Sequence, residues 1–138
     1  MNVTKIALAL LLFWMGCAPA GPAPISYGED QCAYCRMSIA DRQYGAELIT
    51  DKGRVHKYDA AECMANHLRE EQPAYRVLYA VAYDRPGVLQ PVDSLLFVVD
   101  PRFRSPMGAN LAAFTRAGGA PHDLPGMGWE EVINKVGK

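Results

Sequence analysis

Soft-metal ligands recur at short spacings in this chain. Cys32-Ala33-Tyr34-Cys35-Arg36-Met37 lies in the first third, Cys63-Met64 with His67 near the middle, and Met107 in the segment Ser105-Pro106-Met107-Gly108. Thiolate and thioether donors together favour Cu(I) over harder ions. Cys32 and Cys35 have the spacing of half a zinc site, but no second CxxC pair completes it. On a helix, His67 falls four residues after Cys63 and three after Met64, which sets all three on neighbouring parts of one face. Cys63 in the first turn of that helix would have its thiolate favoured by unpaired backbone N–H groups. The same residue types also suit ordinary packing: Cys63 as a buried core residue, Met64 as filler, His67 as a solvated or capping side chain. A redox disulfide between Cys32 and Cys35 fits less well, because a reactive CxxC commonly opens a helix. Here the pair precedes a hairpin. His56 sits on a strand and His122 in a loop, and neither acquires a role.

The elements that must position these groups follow from pattern and punctuation. Tyr44 to Thr50 reads as a strand, Asp51-Lys52-Gly53 as a turn, and Arg54 to Tyr58 as the returning strand. Asp59 with Glu62 three residues on forms a capping box for a helix running to about Glu71, before Pro73. Tyr75 to Tyr83 is a second strand region, Asp84-Arg85-Pro86-Gly87 a turn, and Ser94 to Val99 another apolar strand. Asn110 to Arg116 is helix by its Leu, Ala and Phe content or strand by its brevity. Residues 118–128 are too rich in Gly and Pro to be regular, and Trp129 to Val136 closes the chain with a short helix. The expected fold class is α+β, built from small β-β-α(-β) units as a duplicated pair with a shortened second unit, split near residues 84–93.

The first residues read as an address. A start with the single charge of Lys5, the apolar run Ile6 to Met15 and Gly16-Cys17 form an export signal, too short to cross a bilayer as a helix. Residues 1–16 are expected to be a lipoprotein signal peptide, Cys17 the lipidated first residue of the exported protein, and residues 17–28 a Pro/Gly-rich tether. Residues 29–138 are expected to form the metal-binding region. The location implied is the extracytoplasmic, periplasmic side of a bacterial membrane, held by acyl chains. Lipidation of Cys17 leaves three thiols, which cannot pair completely.

Composition narrows the function classes further. With 14 basic and 15 acidic side chains among 138 residues and no long basic run, the chain lacks a phosphate-tracking surface, so nucleic acid is not expected as a partner. No nucleophile elbow, Walker loop or HExxH motif is present, so an enzyme is not expected.

Taken together, the lipoprotein signal, Cys32 to Met37, the strand Gly45-Ala46-Glu47-Leu48-Ile49, the helix start Tyr58-Asp59 to Glu62-Cys63-Met64, and Ser105-Pro106-Met107-Gly108 resemble the NosL family over about residues 29–115. The family comprises small membrane-attached copper-binding lipoproteins associated with nitrous oxide reductase maturation. The resemblance implies two related β-β-α-β units and a Cu(I) chaperone that docks with a NosDFY-like membrane complex of the ABC type and serves a copper-accepting reductase. It also maps the family's Cys-x-Met pair onto Cys35 and Met37, its Cys-Met pair onto Cys63 and Met64, and its Pro-Met-Gly element onto Pro106, Met107 and Gly108. The expected Cu(I) ligands are therefore Cys35, Met37 and Met107, with Cys32, Cys63, Met64 and His67 as alternates. Relatives of this kind also occur away from denitrification genes, so another cuproenzyme can be the recipient. The competing readings are a structural-zinc module of a membrane complex, using Cys32, Cys35, Cys63 and His67, and a thiol-disulfide oxidoreductase using Cys32 and Cys35.

Overall fold

A computed structural model describes residues 21–136. In the first hairpin, β1 (Ala46–Thr50) pairs antiparallel with β2 (Val55–Tyr58). Gly53 turns the connection at φ 83°, and the Thr50 side chain accepts a hydrogen bond from the Arg54 N–H at 2.9 Å. Helix α1 (Ala61–Glu71) follows, ending where Gln72 adopts a left-handed conformation at φ 47° before Pro73. The chain returns as β3 (Tyr75–Val81) on the other side of β1, and β4 (Leu89–Pro91) adds an edge, giving the antiparallel order β2-β1-β3-β4.

A second hairpin pairs β5 (Leu95–Val99) with β6 (Leu111–Thr115), and α2 (Trp129–Lys135) packs beside β5. Among the described residues this second unit is β-β-α without a closing strand. An isolated bridge between Phe97 and Met127 caps the free edge of β5. The fold is thus α+β with two sheet-and-helix units, the second shortened, as the sequence implies. One core joins them. Leu48, Tyr58 and Leu78 from the first sheet, Met64 and Leu68 from α1, and Phe97, Leu111, Trp129 and Val132 from the second unit belong to a single buried cluster. Each large apolar side chain fully buried there contributes about 1.5–3 kcal/mol. The Phe97 and Trp129 rings meet at 5.3 Å. A smaller cluster gathers Tyr83, Phe103 and Phe114 at centroid distances of 5.1–5.6 Å.

Tertiary contacts decide three local features. The capping box does not form: Ala60 is the N-cap of α1, with no side-chain cap hydrogen bond. Asp59 is buried and its carboxylate accepts from the Ala40 backbone, while Glu62 turns toward the loop after β5. The ambiguous segment at 110–116 is strand, because pairing with β5 satisfies its backbone groups and buries Leu111, Ala112, Ala113 and Phe114. The segment expected to be tether is laid on the body from Ala23 onward. The Ala23 N–H donates to the Glu47 carboxylate at 2.9 Å, Lys57 donates to the Pro24 carbonyl at 2.8 Å, and the Arg42 guanidinium lies over the Tyr27 ring at 4.6 Å. Among the described residues, no helix is long and apolar enough to cross a membrane.

Candidate metal centre

The residues from Cys32 to Met37 fold into a tight turn. The Cys32 N–H donates to the Met37 carbonyl at 2.8 Å, the Arg36 N–H donates to the Cys32 carbonyl at 3.0 Å, and Arg36 takes the left-handed conformation at φ 66°. A bridge between Gln31 and Ser38 closes its base. Two further bonds fix the turn to the body: the Ala33 N–H donates to the Lys57 carbonyl at 2.8 Å, and the Tyr34 hydroxyl donates to the Glu70 carboxylate at 2.7 Å. The second bond ties the turn directly to α1, whose first turn carries Cys63.

The result is a cluster in which the sulfurs of Cys32, Cys35 and Cys63 all lie within 4.8 Å of one another. Cys32 and Cys63 are completely buried, and Cys35 is half-buried on the outer side. Their proton affinities are split by geometry. The Cys63 thiol donates to the Cys32 sulfur, and backbone N–H groups of Asp59, Cys35 and Tyr34 also stabilise its anion; against the opposing effect of burial, Cys32 is held down at about 5. Cys63 is pushed far up, first because it is the donor to Cys32 and then by burial. Burial pushes Cys35 up, with the Met37 backbone N–H pulling the other way. The metal-free cluster at neutral pH is one buried thiolate beside two thiols, a ready acceptor for a soft cation.

The structure brings together three of the seven expected metal ligands as a sulfur triad and places the others as follows. Met37, adjoining Cys35, is 54% exposed. Met64 is fully buried in the main core. His67 is 6% exposed, with Nδ1 at 2.7 Å from the Tyr58 hydroxyl and Nε2 at 3.1 Å from the Glu71 carboxylate, so both ring nitrogens are engaged. Met107 is 41% exposed, and its N–H donates to Glu62 Oε1 at 3.3 Å. Cys17 lies outside the described residues. The sequence reading ranked Cys35, Met37 and Met107 first, whereas the folded chain gathers Cys35 with two of the alternates, Cys32 and Cys63. The burial of two polar neighbours escaped that reading. Tyr58 shows only as an apolar strand residue, and Glu62 looks like a helix cap; nothing in their local sequence separates these roles.

A small α+β body carries three convergent thiols that could hold a metal ion. A family model described as NosL matches residues 24–122, and the chain belongs to that family. No curated protein and no solved structure matches it. Family membership and the tri-cysteine cluster together support a non-catalytic, copper-binding accessory role.

Proposed function

We propose that this chain is an extracytoplasmic Cu(I) metallochaperone, lipid-anchored through Cys17, that holds its ion on Cys32, Cys35 and Cys63 and yields it to a copper enzyme. The observation that carries this reading is the convergence of the three sulfurs within 4.8 Å on two separate elements, the turn and α1. Three soft donors suit Cu(I), whereas a structural zinc site closes with four. The fourth ligand of the zinc reading, His67, is engaged at both ring nitrogens. Thiol-disulfide exchange is disfavoured for a different reason. The ionised sulfur, Cys32, is buried from any substrate, and the accessible one, Cys35, is not activated.

The asymmetry of exposure supports a carrier. An acceptor ligand approaching Cys35 can attack the ion before Cys32 and Cys63 let go, and the exposed thioether of Met37 stands two residues further along the same turn as an auxiliary donor. Family membership makes nitrous oxide reductase, reached through a NosDFY-like membrane complex, the leading recipient system. The test is anaerobic Cu(I) titration against a competing chelator, with X-ray absorption at the copper edge. One ion with three short sulfur distances, weakened by orders of magnitude in Cys63→Ser, is the expected result. A site unchanged by that substitution, or a preference for zinc in tetrahedral coordination with protein unfolding on chelation, would overturn it.

A further inference from the structure

The first sheet carries a strap on the side away from the main core. Along β1, Ala46 and Leu48 point into that core, so Glu47 points the opposite way, and Lys57 of β2 is its cross-strand neighbour. Residues 23–27 cross this face without regular secondary structure until the turn at Tyr27. The Ala23 N–H donates to the completely buried Glu47 carboxylate, and the Lys57 ammonium holds both the Pro24 carbonyl at 2.8 Å and the Asp30 carboxylate at 2.6 Å. Asp30 in turn accepts the Ser26 N–H at 2.7 Å. Gly45 makes room for the strap: a Cβ there would stand 2.8 Å from Ile25 Cδ1, 3.5 Å from the Tyr27 hydroxyl and 3.6 Å from Val81 Cγ2. Burying a carboxylate is costly unless a donor meets it, so Glu47 is committed to the segment that covers it. Lys57 also serves the cysteine turn, because its backbone carbonyl accepts the Ala33 N–H. One residue thus joins the strap to the thiolate site.

We infer that this strap sets the height of the protein above the lipid surface. Docked, it leaves six residue steps between Cys17 and the body at Ala23; released, it leaves eleven, to Gly28. Gly28 is the next fixed point because its N–H donates to the Ile39 carbonyl at 2.8 Å. At full extension these lengths span roughly 20 Å and roughly 40 Å. The docked strap keeps the cysteine turn close to the bilayer, within reach of an acceptor seated in the membrane, and release doubles the reach. A segment held mainly by side-chain bonds opens at lower free energy than the sheet beneath it, so both states belong to the folded protein. The height rests on the lipid anchor proposed above, whereas the docking of the strap does not.

Two measurements on the full chain purified from membranes test this. Amide exchange should find the Ala23 and Ser26 N–H groups protected in the wild type, exposed in Glu47→Ala with Lys57→Met, and protected in Glu47→Gln, which keeps an acceptor for Ala23. Neutron reflectometry on a supported bilayer should find the mean gap between headgroups and protein wider by about 5 Å in the double variant, the difference between flexible tethers of eleven and six residues. Gly45→Val should give the same widening by displacing Ile25 while every charge stays in place, and protected β1 amides report that the sheet of either variant is intact. Freely exchanging Ala23 and Ser26 amides in the wild type would overturn the docking. An unchanged gap in a variant with a released strap would overturn the height. A chain that carries no acyl group by mass spectrometry, while its strap amides stay protected, would overturn the anchor reading and the height with it, and leave the docking standing.

Discussion

Loading the thiolate site with Cu(I) should release about two protons per ion at pH 7, a number that follows from how the three sulfurs share their protons. Cys32, held at about 5, is already ionised at that pH, whereas Cys35 and Cys63 are both pushed above the ordinary thiol range and remain protonated. Binding by three thiolates must therefore expel two protons. Below pH 5 Cys32 regains its own proton and the count rises to about three. Between pH 6 and 8, two protons per ion over two pH units make the apparent affinity rise roughly ten-thousand-fold. The assay is anaerobic titration calorimetry in two buffers of different ionisation enthalpy, combined with chelator competition across that pH range. Release of about three protons at pH 7 would mean that Cys32 is a neutral thiol in the metal-free protein. Release of about one would mean that only two sulfurs engage the ion. Either result would refute the reasoning, and each would say which part of it failed.

Other consequences are as direct. The folded state lowers the proton affinity of Cys32 relative to an ordinary thiol at 9.0, so its contribution to stability is fully present above that value and is lost as pH falls toward about 5. Cys63 is shifted the other way, so urea denaturation of the metal-free protein should show stability rising from pH 5 to 9 and declining above it. Tyr58→Phe removes the buried hydroxyl bonded to His67 and should cost about 1–3 kcal/mol in the same measurement, since His67 Nδ1 loses its partner in a site sealed from water. Gly126→Ala would set a Cβ 2.5 Å from the Leu96 side chain, so thermal unfolding should show a loss of about 1–3 kcal/mol from overpacking; an unchanged melting temperature would mean that the 118–128 loop yields freely.

Local patterning carried most of the fold. The Asp51-Lys52-Gly53 turn between two β-rich runs specifies the hairpin, Pro73 limits the helix, and the short apolar runs at Tyr75 and Ser94 specify strands, because these signals act between residues close in the chain. The short β4 was missed for the complementary reason: three residues, Leu89 to Pro91, have no periodicity of their own and become strand only by pairing with Tyr79 to Val81. The segment after Asn110 was ambiguous for the same cause, since its backbone partners lie on β5.

The sequence by itself determined the chemistry of the protein: soft donors, the resemblance to a family and a helix that presents Cys63 in its first turn. Only the tertiary structure decided which donors meet. Cys63 reaches Cys32 and Cys35 because the Ala33 and Tyr34 bonds draw the turn onto β2 and α1, a contact between segments about thirty residues apart to which residue spacing is blind. It also parted Glu62 from its neighbour. Successive residues on a helix point about 100° apart, so Cys63 faces the sulfurs while Glu62 faces a cavity that Met107 and Met127 also line.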